Sequence, residues 1–342
     1  MTLTTVAPHI YQVTLPLPFA LNHVHCYLLD DGDGWTAVDA GLHTSQTEAG
    51  WLAAFTELGI TPAHLKRIIL THTHPDHYGA AGWLEQWSDG RAAVHLSPRE
   101  AEVASRTWGE WGQHEQLMVR HLLRAGLTPA MAQEVAENTQ FVATRTRPHP
   151  THHELLQPGS RIEMAQRTFD ILSYAGHSDG QLLFHCSAEA LMLSGDHVLM
   201  DITPNISLWP GGWANPLGRY LDSLRELKAF EVALALPGHK RLIHDWHGRL
   251  AELEKHHAER LGHTLAAVQG GDSTTAEIAK TVFRLNHLTV HEARFAITET
   301  LAHLEYLAHQ GEIKEDEAGE MGLMVTRYSL FVIGCWLTKA MA

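Results

Sequence analysis

Leu70-Thr71-His72-Thr73-His74-Pro75-Asp76-His77 sets four metal-binding side chains within six residues. The stretch continues Arg67-Ile68-Ile69-Leu70, an apolar run that reads as a buried strand. Side chains alternate faces in an extended segment, so His72 and His74 point the same way and can chelate one ion. Pro75 has no backbone donor and a fixed φ, which ends the strand and starts a turn. The turn swings Asp76 and His77 toward a second ion beside the first. In a chain with 27 histidines, a lone His-x-His pair would read as surface or core. The complete His-x-His-x-Asp-His run at a strand end reads as a metal motif.

Three further apolar runs end in the same way. Ile171 to Ala175 leads into Gly176-His177-Ser178, Leu191-Met192-Leu193 into Ser194-Gly195-Asp196, and Val232 to Leu236 into Pro237-Gly238-His239. Each is strand, glycine, ligand, and glycine allows the tight turn and close backbone approach of a crowded cluster. Singly, His177, Asp196 and His239 would be ordinary loop residues; their joint order is what carries weight.

Together these residues resemble the metallo-β-lactamase fold superfamily, whose five metal-ligand motifs appear here in the expected order. The resemblance spans residues 1 to about 245 and is closest to the broad glyoxalase II-like hydrolases. It implies an α/β fold, an αββα sandwich, with His72, His74 and His177 on one ion, Asp76, His77 and His239 on another, and Asp196 bridging them. Asp39, in Trp35-Thr36-Ala37-Val38-Asp39-Ala40-Gly41, matches the first motif and is expected to orient a ligand histidine by hydrogen bond. Nitrogen and carboxylate ligands without thiolate suit two divalent ions, zinc favoured, with iron or manganese compatible. Paired cations acidify a bridging water, so the expected nucleophile is a metal-bridging hydroxide acting on a small or medium ester, thioester or lactone. The alternatives are an endoribonuclease or an iron-dependent redox member of the same fold, since one fold carries many reactions. Lactonases of this fold acting on acyl-homoserine lactones often place tyrosine three residues after the bridging aspartate, where this chain has Leu199. Lys240 and Arg241 are candidates to meet a substrate carboxylate, or surface residues.

At 342 residues and 44% hydrophobic, the chain can build one large core and a smaller module. Cys26, Cys186 and Cys335 are far apart in apolar runs and read as buried thiols of a reducing compartment. Met1 to Val6 shows no signal-peptide pattern, and no run approaches the roughly 18 apolar residues of a membrane span. A cytoplasmic location without membrane association is expected. A net charge of −14 disfavours nucleic acid as a partner and favours a small-molecule substrate, while a homodimer remains compatible.

Strands and helices are expected to alternate over residues 9 to 96 and again from about Arg161 to Leu236. Between them, Ser97-Pro98-Arg99-Glu100 is a good helix start and opens a helical insertion over about 98–157 of a catalytic domain spanning 1–245. Trp108, Trp111, Leu117, Met118 and Leu122 would form a lid or pocket wall, or else a docking or dimer contact. Pro16-Leu17-Pro18-Phe19 and Ile202 to Pro210 are loops placed to frame a cleft. Residues 246–342 read as a C-terminal helical domain resembling a winged helix. Its acids, Glu299, Glu305, Glu312, Glu315, Asp316 and Glu317, suit packing or dimerisation rather than DNA binding. His23 and His25 read as core or cleft-lining, His185 as a buried strand residue, and His256, His257 and His263 as solvated.

Overall fold

The computed structural model describes residues 2–109, 111–283, 290–320 and 323–330. Cys335 lies outside the described residues, as do the side chains of Trp111, Asp316, Glu317 and the Met321 to Val325 run.

Two sheets form the body. The first has seven strands in sequence order: β1 (Thr2–Ala7), β2 (Ile10–Pro16), β3 (His23–Asp30), β4 (Trp35–Val38), β5 (Leu65–Ile69), β6 (Ala93–Leu96) and β7 (His153–Leu155). Its pairing is antiparallel up to β4 and parallel from β4 to β7. The second sheet contains β8 (Arg161–Met164), β9 (Arg167–Tyr174), β10 (Gln181–Cys186), β11 (Leu191–Gly195) and β12 (Leu234–Pro237), in the order β12-β11-β10-β9-β8. Only β11 and β12 run parallel there.

Strand periodicity explains how the sheets stack. On β3, Tyr27 and Leu29 face inward against Phe169, Ile171, Phe184 and Leu193 of the second sheet, while Cys26 and Leu28 face outward. The outward set is covered by α1 (Ser45–Leu58), followed by the short α2 (Pro75–Tyr78) and α3 (Ala81–Trp87), with Trp51, Phe55 and Leu84 in contact. Each large side chain so buried contributes about 1.5–3 kcal/mol.

Between β6 and β7 the chain leaves the sheet as α4 (Pro98–Ala104), a π-helical turn (Ser105–Gly109), α5 (Trp111–Arg124) and α6 (Pro129–Ala143). The helical part ends with a 3-10 turn (Thr144–Thr146), and residues 153–155 rejoin the sheet as its edge strand. The outer face of the second sheet is covered by α7 (Pro216–Leu227) and α8 (Trp246–Gln269), through Tyr220, Leu224, Trp246 and Leu250. The layers are therefore helix, sheet, sheet, helix. Thr44, Ser97, Thr128, Asn215 and Asp245 cap five helices, each accepting from the backbone N–H three residues on.

The chain continues through α9 (Thr275–Phe283), α10 (Val290–His309) and an antiparallel hairpin of β13 (Ile313–Glu320) and β14 (Leu323–Leu330). This unit packs on the body: Ala302 joins the core beneath α7 and α8, while Ile297 and Leu301 pack on Met118 and Leu122 of α5. His257 departs from the solvated reading. It is 1% exposed because α8 is covered by α10, and its ring lies 3.3 Å from His303. His256 is half-buried and His263 exposed. His185 is buried with its ring bonded to the Glu231 carbonyl at 3.1 Å. Cys26 and Cys186 are free and buried. Among the described residues no helix is long and apolar enough to cross a membrane.

Candidate metal centre

Every candidate ligand, and Asp39 that orients one of them, sits just past a strand. Asp39 follows β4, His72 to His77 follow β5, and His177, Asp196 and His239 follow β9, β11 and β12. Parallel pairing of β4 with β5, and of β11 with β12, carries those ends to one edge. At that edge the Gly238 backbone presses so closely that a Cβ there would collide with Asp196 Oδ1 and lie 2.7 Å from His77 Cε1. Gly195 adopts φ +48°, a left-handed turn that aims Asp196 inward.

The structure brings all seven side chains together. His74 Nδ1 lies 3.1 Å from His72 Nε2 and 2.9 Å from His177 Nε2. His239 Nε2 lies 3.2 Å from Asp76 Oδ2 and 3.1 Å from Asp196 Oδ2. Asp196 also approaches His77 Nε2 at 3.4 Å and His177 Nε2 at 3.7 Å, so it stands between the two halves. A tetrahedral ion about 2.0–2.1 Å from its ligands has ligand-to-ligand edges of about 3.3 Å, the spacing seen here. Three overlapping groups could each hold an ion: His72, His74 and His177; His72, His77 and Asp196; Asp76, His77 and His239. His77 Nε2, His239 Nε2 and Asp196 Oδ1 are buried without a hydrogen-bond partner, which a cation would supply. The donors present therefore fit a metal pair.

Hydrogen bonds on the far side of three of the rings aim them. His77 Nδ1 donates to Asp39 Oδ2 at 2.8 Å, leaving Nε2 free for the cluster. His177 Nδ1 donates to the Asn205 carbonyl at 3.0 Å and His239 Nδ1 to the His23 carbonyl at 2.8 Å. Asp39 is itself held by Thr71, through its N–H at 2.8 Å and its hydroxyl. Glu100 gives no functional signal in the sequence, because it occupies the place of a capping-box residue after Ser97. Its fully buried carboxylate instead accepts from Thr73 N–H and hydroxyl, the Ser178 hydroxyl and Gly180 N–H. It thereby ties the His72–His77 turn to the His177 turn.

A metallo-beta-lactamase superfamily profile matches residues 20–239, and a metallo-beta-lactamase-like C-terminal domain profile matches 261–329. The chain belongs to the metallo-beta-lactamase superfamily. Two solved structures resemble it along nearly its whole length. A metallo-beta-lactamase family protein from Thermus thermophilus is 31% identical, with a TM-score of 0.83, over 95% of this chain and 100% of that one. A beta-lactamase domain protein from Burkholderia ambifaria is 30% identical, with a TM-score of 0.83, over 96% and 94%. A Bacillus subtilis protein named probable metallo-hydrolase YybB is 22% identical over 66% of this chain and 82% of its own length. Across such curated relatives, the matched stretch spans from 37% to 82% of the relative's length.

Within this superfamily member, electrostatics favour cation binding. Burial, then mutual repulsion with His177, pushes His74 down to about 3, so its ring is neutral and able to ligate. Burial would also lower His239, yet Asp196 and Asp76 override it and raise that ring to about 10 without metal. A metal would displace that proton.

His74, Asp76, His177, Asp196 and His239 of the cluster line a mainly apolar cavity of about 490 Å³, within the range of small-molecule sites. Leu17, Phe19, Trp108, Met118, Leu199 and Trp209 contribute to its walls. Insertion residues thus serve both expected roles: Trp108 and Met118 line the cavity, Leu122 docks the insertion, and Leu117 is exposed. The π-helical turn carries Trp108, whose Nε1 donates to the Thr73 carbonyl at 2.9 Å. Lys240 and Arg241 do not line the cavity; Arg241 is exposed and pairs with Asp201. His23 and His25 do not line it either, and His25 bonds the Lys240 carbonyl at 2.7 Å, holding the His239 turn. Glu299, one of the acids expected to serve packing, is turned inward. It is 9% exposed, lines the cavity and accepts from Asn205 Nδ2 at 2.9 Å.

Proposed function

We propose that this chain is a dinuclear metal-dependent hydrolase of a small or medium ester, thioester or lactone. The observation that carries the reading is the convergence of seven metal-binding side chains, with unpaired buried donors, beside a mainly apolar cavity that five of them line. His72, His74 and His177 would hold one ion and Asp76, His77 and His239 the other, with Asp196 shared. Nitrogen and oxygen donors suit zinc, iron or manganese, and the general order of divalent-metal affinity ranks zinc above the other two. Bound divalent ions supply an acidified water as nucleophile and an electrophile for the substrate carbonyl. The chain's own residues do the rest. Asp39 and the Asn205 and His23 carbonyls fix ring tautomers, Glu100 holds the two ligand turns together, and the apolar walls exclude bulk water from the acyl group. The C-terminal helices and hairpin form a winged-helix-like module whose α10 serves the site by walling the cavity with Arg294, Phe295 and Glu299.

The test is elemental analysis of protein purified without chelator, alongside hydrolysis of aryl-ester, thioester, lactone, phosphodiester and RNA substrates. Two zinc equivalents with ester, thioester or lactone turnover is the expected result. RNA cleavage alone, or a single iron without hydrolysis, would overturn the proposal.

A further inference from the structure

Arg294, on α10, is the cavity's unusual wall residue. It is 9% exposed, and among the described residues no carboxylate lies within ion-pair distance of it. Its Nη1 donates to Thr139 Oγ1 at 3.1 Å, while its Nε is buried without a partner. The guanidinium lies over the Trp209 ring at 5.7 Å and the Phe295 ring at 4.5 Å. Rings on its faces leave the N–H edges of the fork open to an in-plane oxyanion. Burial alone, with no compensating anion, pushes Arg294 down to about 10, and guanidinium still stays charged at neutral pH. A buried charge without a partner is costly, and a ligand that brings the partner removes the cost. Arg106 lines the same cavity and its Nε is likewise buried without a partner, but the residue as a whole is only half-buried, whereas Arg294 is nine-tenths buried.

Arg294 stands apart from the metal cluster. Glu299, linked to His177 through Asn205, is five residues further along α10, about 7.5 Å on the helix axis. The walls that both share are mainly apolar, with Leu17, Met118, Val142 and Leu199 among them.

We propose that Arg294 anchors a carboxylate at the far end of the substrate, so that the cavity takes an acyl ester or thioester whose aliphatic chain ends in a carboxylate remote from the scissile bond. The ester arm rests on the hydrolase reading; the anchor itself does not. A single buried cation in apolar walls matches a monoanion better than a dianionic phosphate, which would leave one charge unpaired.

The experiment compares the mono-nitrophenyl ester of suberate with nitrophenyl octanoate, of equal chain length. Wild type should favour the charged ester about 10- to 100-fold in kcat/KM, the worth of a charge-assisted bond. In Arg294→Met that ratio should fall to one or below, and in Arg294→Lys, which keeps the charge without the fork, it should be intermediate. A wild-type ratio of one, or a ratio unchanged in Arg294→Met, overturns the anchor. Octanoate and octanamide binding, followed by calorimetry on the same proteins, reads the anchor without turnover. A preference for octanoate that is larger in wild type than in Arg294→Met, with neither ester hydrolysed, supports the anchor and sinks the hydrolase reading. Ester turnover with the same octanoate preference in both proteins sinks the anchor alone.

Discussion

Replacing Asp39 with Asn tests how the cluster is aimed. Asp39 takes φ +62°, a left-handed conformation that Asn tolerates as well, so the backbone should not move. The carboxylate accepts from Thr71 N–H at 2.8 Å and from His77 Nδ1 at 2.8 Å. An amide cannot do both. With its oxygen toward Thr71, its NH₂ faces His77, the ring must accept at Nδ1, and the proton moves to Nε2, the atom turned to the cluster. With its oxygen toward His77, two donors confront each other at a site 2% exposed. Either arrangement costs about 1–3 kcal/mol, which means metal affinity lower by about 10- to 100-fold, the usual range for losing a bond that orients a ligand. Chelator competition at fixed pH measures it. Affinity within twofold of wild type would show that Asp39 does not set the His77 tautomer.

Asp196→Ala should lose metal and abolish turnover while keeping native circular dichroism, since the residue lies at the sheet edge; near-normal turnover would contradict a shared ligand. Gly238→Ala should also deplete metal, because its Cβ would displace Asp196 and crowd His77 Cε1 at 2.7 Å; full metal content would show that the turn can relax. Burial drives His257 to about 2 and His303 to about 4, so the folded state refuses protons that the unfolded chain takes near 6.5. Stability is therefore unaffected above pH about 6.5 and falls below it, by at most about 1.4 kcal/mol per pH unit per ring, until the folded values are reached. Urea midpoints between pH 7 and about 4 should fall less steeply in a His257→Leu/His303→Leu variant; an identical slope would refute the buried-pair account.

The parts of the site legible in sequence are those whose chemistry is local. His72 to His77 form one continuous run, and His177, Asp196 and His239 each follow an apolar strand and a glycine, so the pattern survives without knowing what packs on what. The ring-aiming carbonyls of Asn205 and His23 carry no side-chain signature at all. Glu100 is hidden by its spacing from Ser97, which suits a helix cap; only closure of the two turns makes its carboxylate a clasp. The edge strands β1 and β7 are short or poorly buried, so alternation does not mark them. His257 sits on a helix whose composition is polar, and only the docking of α10 takes it out of water. Arg294 and Glu299 lie well beyond the ligand motifs, and helical periodicity cannot show that two charged residues turn toward a distant cavity.

Metal binding and substrate choice are thus assigned to different material. The cluster hangs from strand ends held by the inter-sheet core, whereas the cavity walls come from a loop before β3, the insertion, the segment after Asp196 and α10. Substitutions in those walls leave the inter-sheet contacts untouched, so the same cluster can be presented to ligands of different shape at little cost to the fold. The walls are nonetheless not independent of the metals. Glu299 holds the Asn205 side chain, Ser207 bonds both Asn205 and Thr298, and the Asn205 carbonyl aims His177. A displacement of α10 would loosen the bond that fixes the His177 tautomer, so the C-terminal unit supports the cluster's geometry as well as bounding the space beside it.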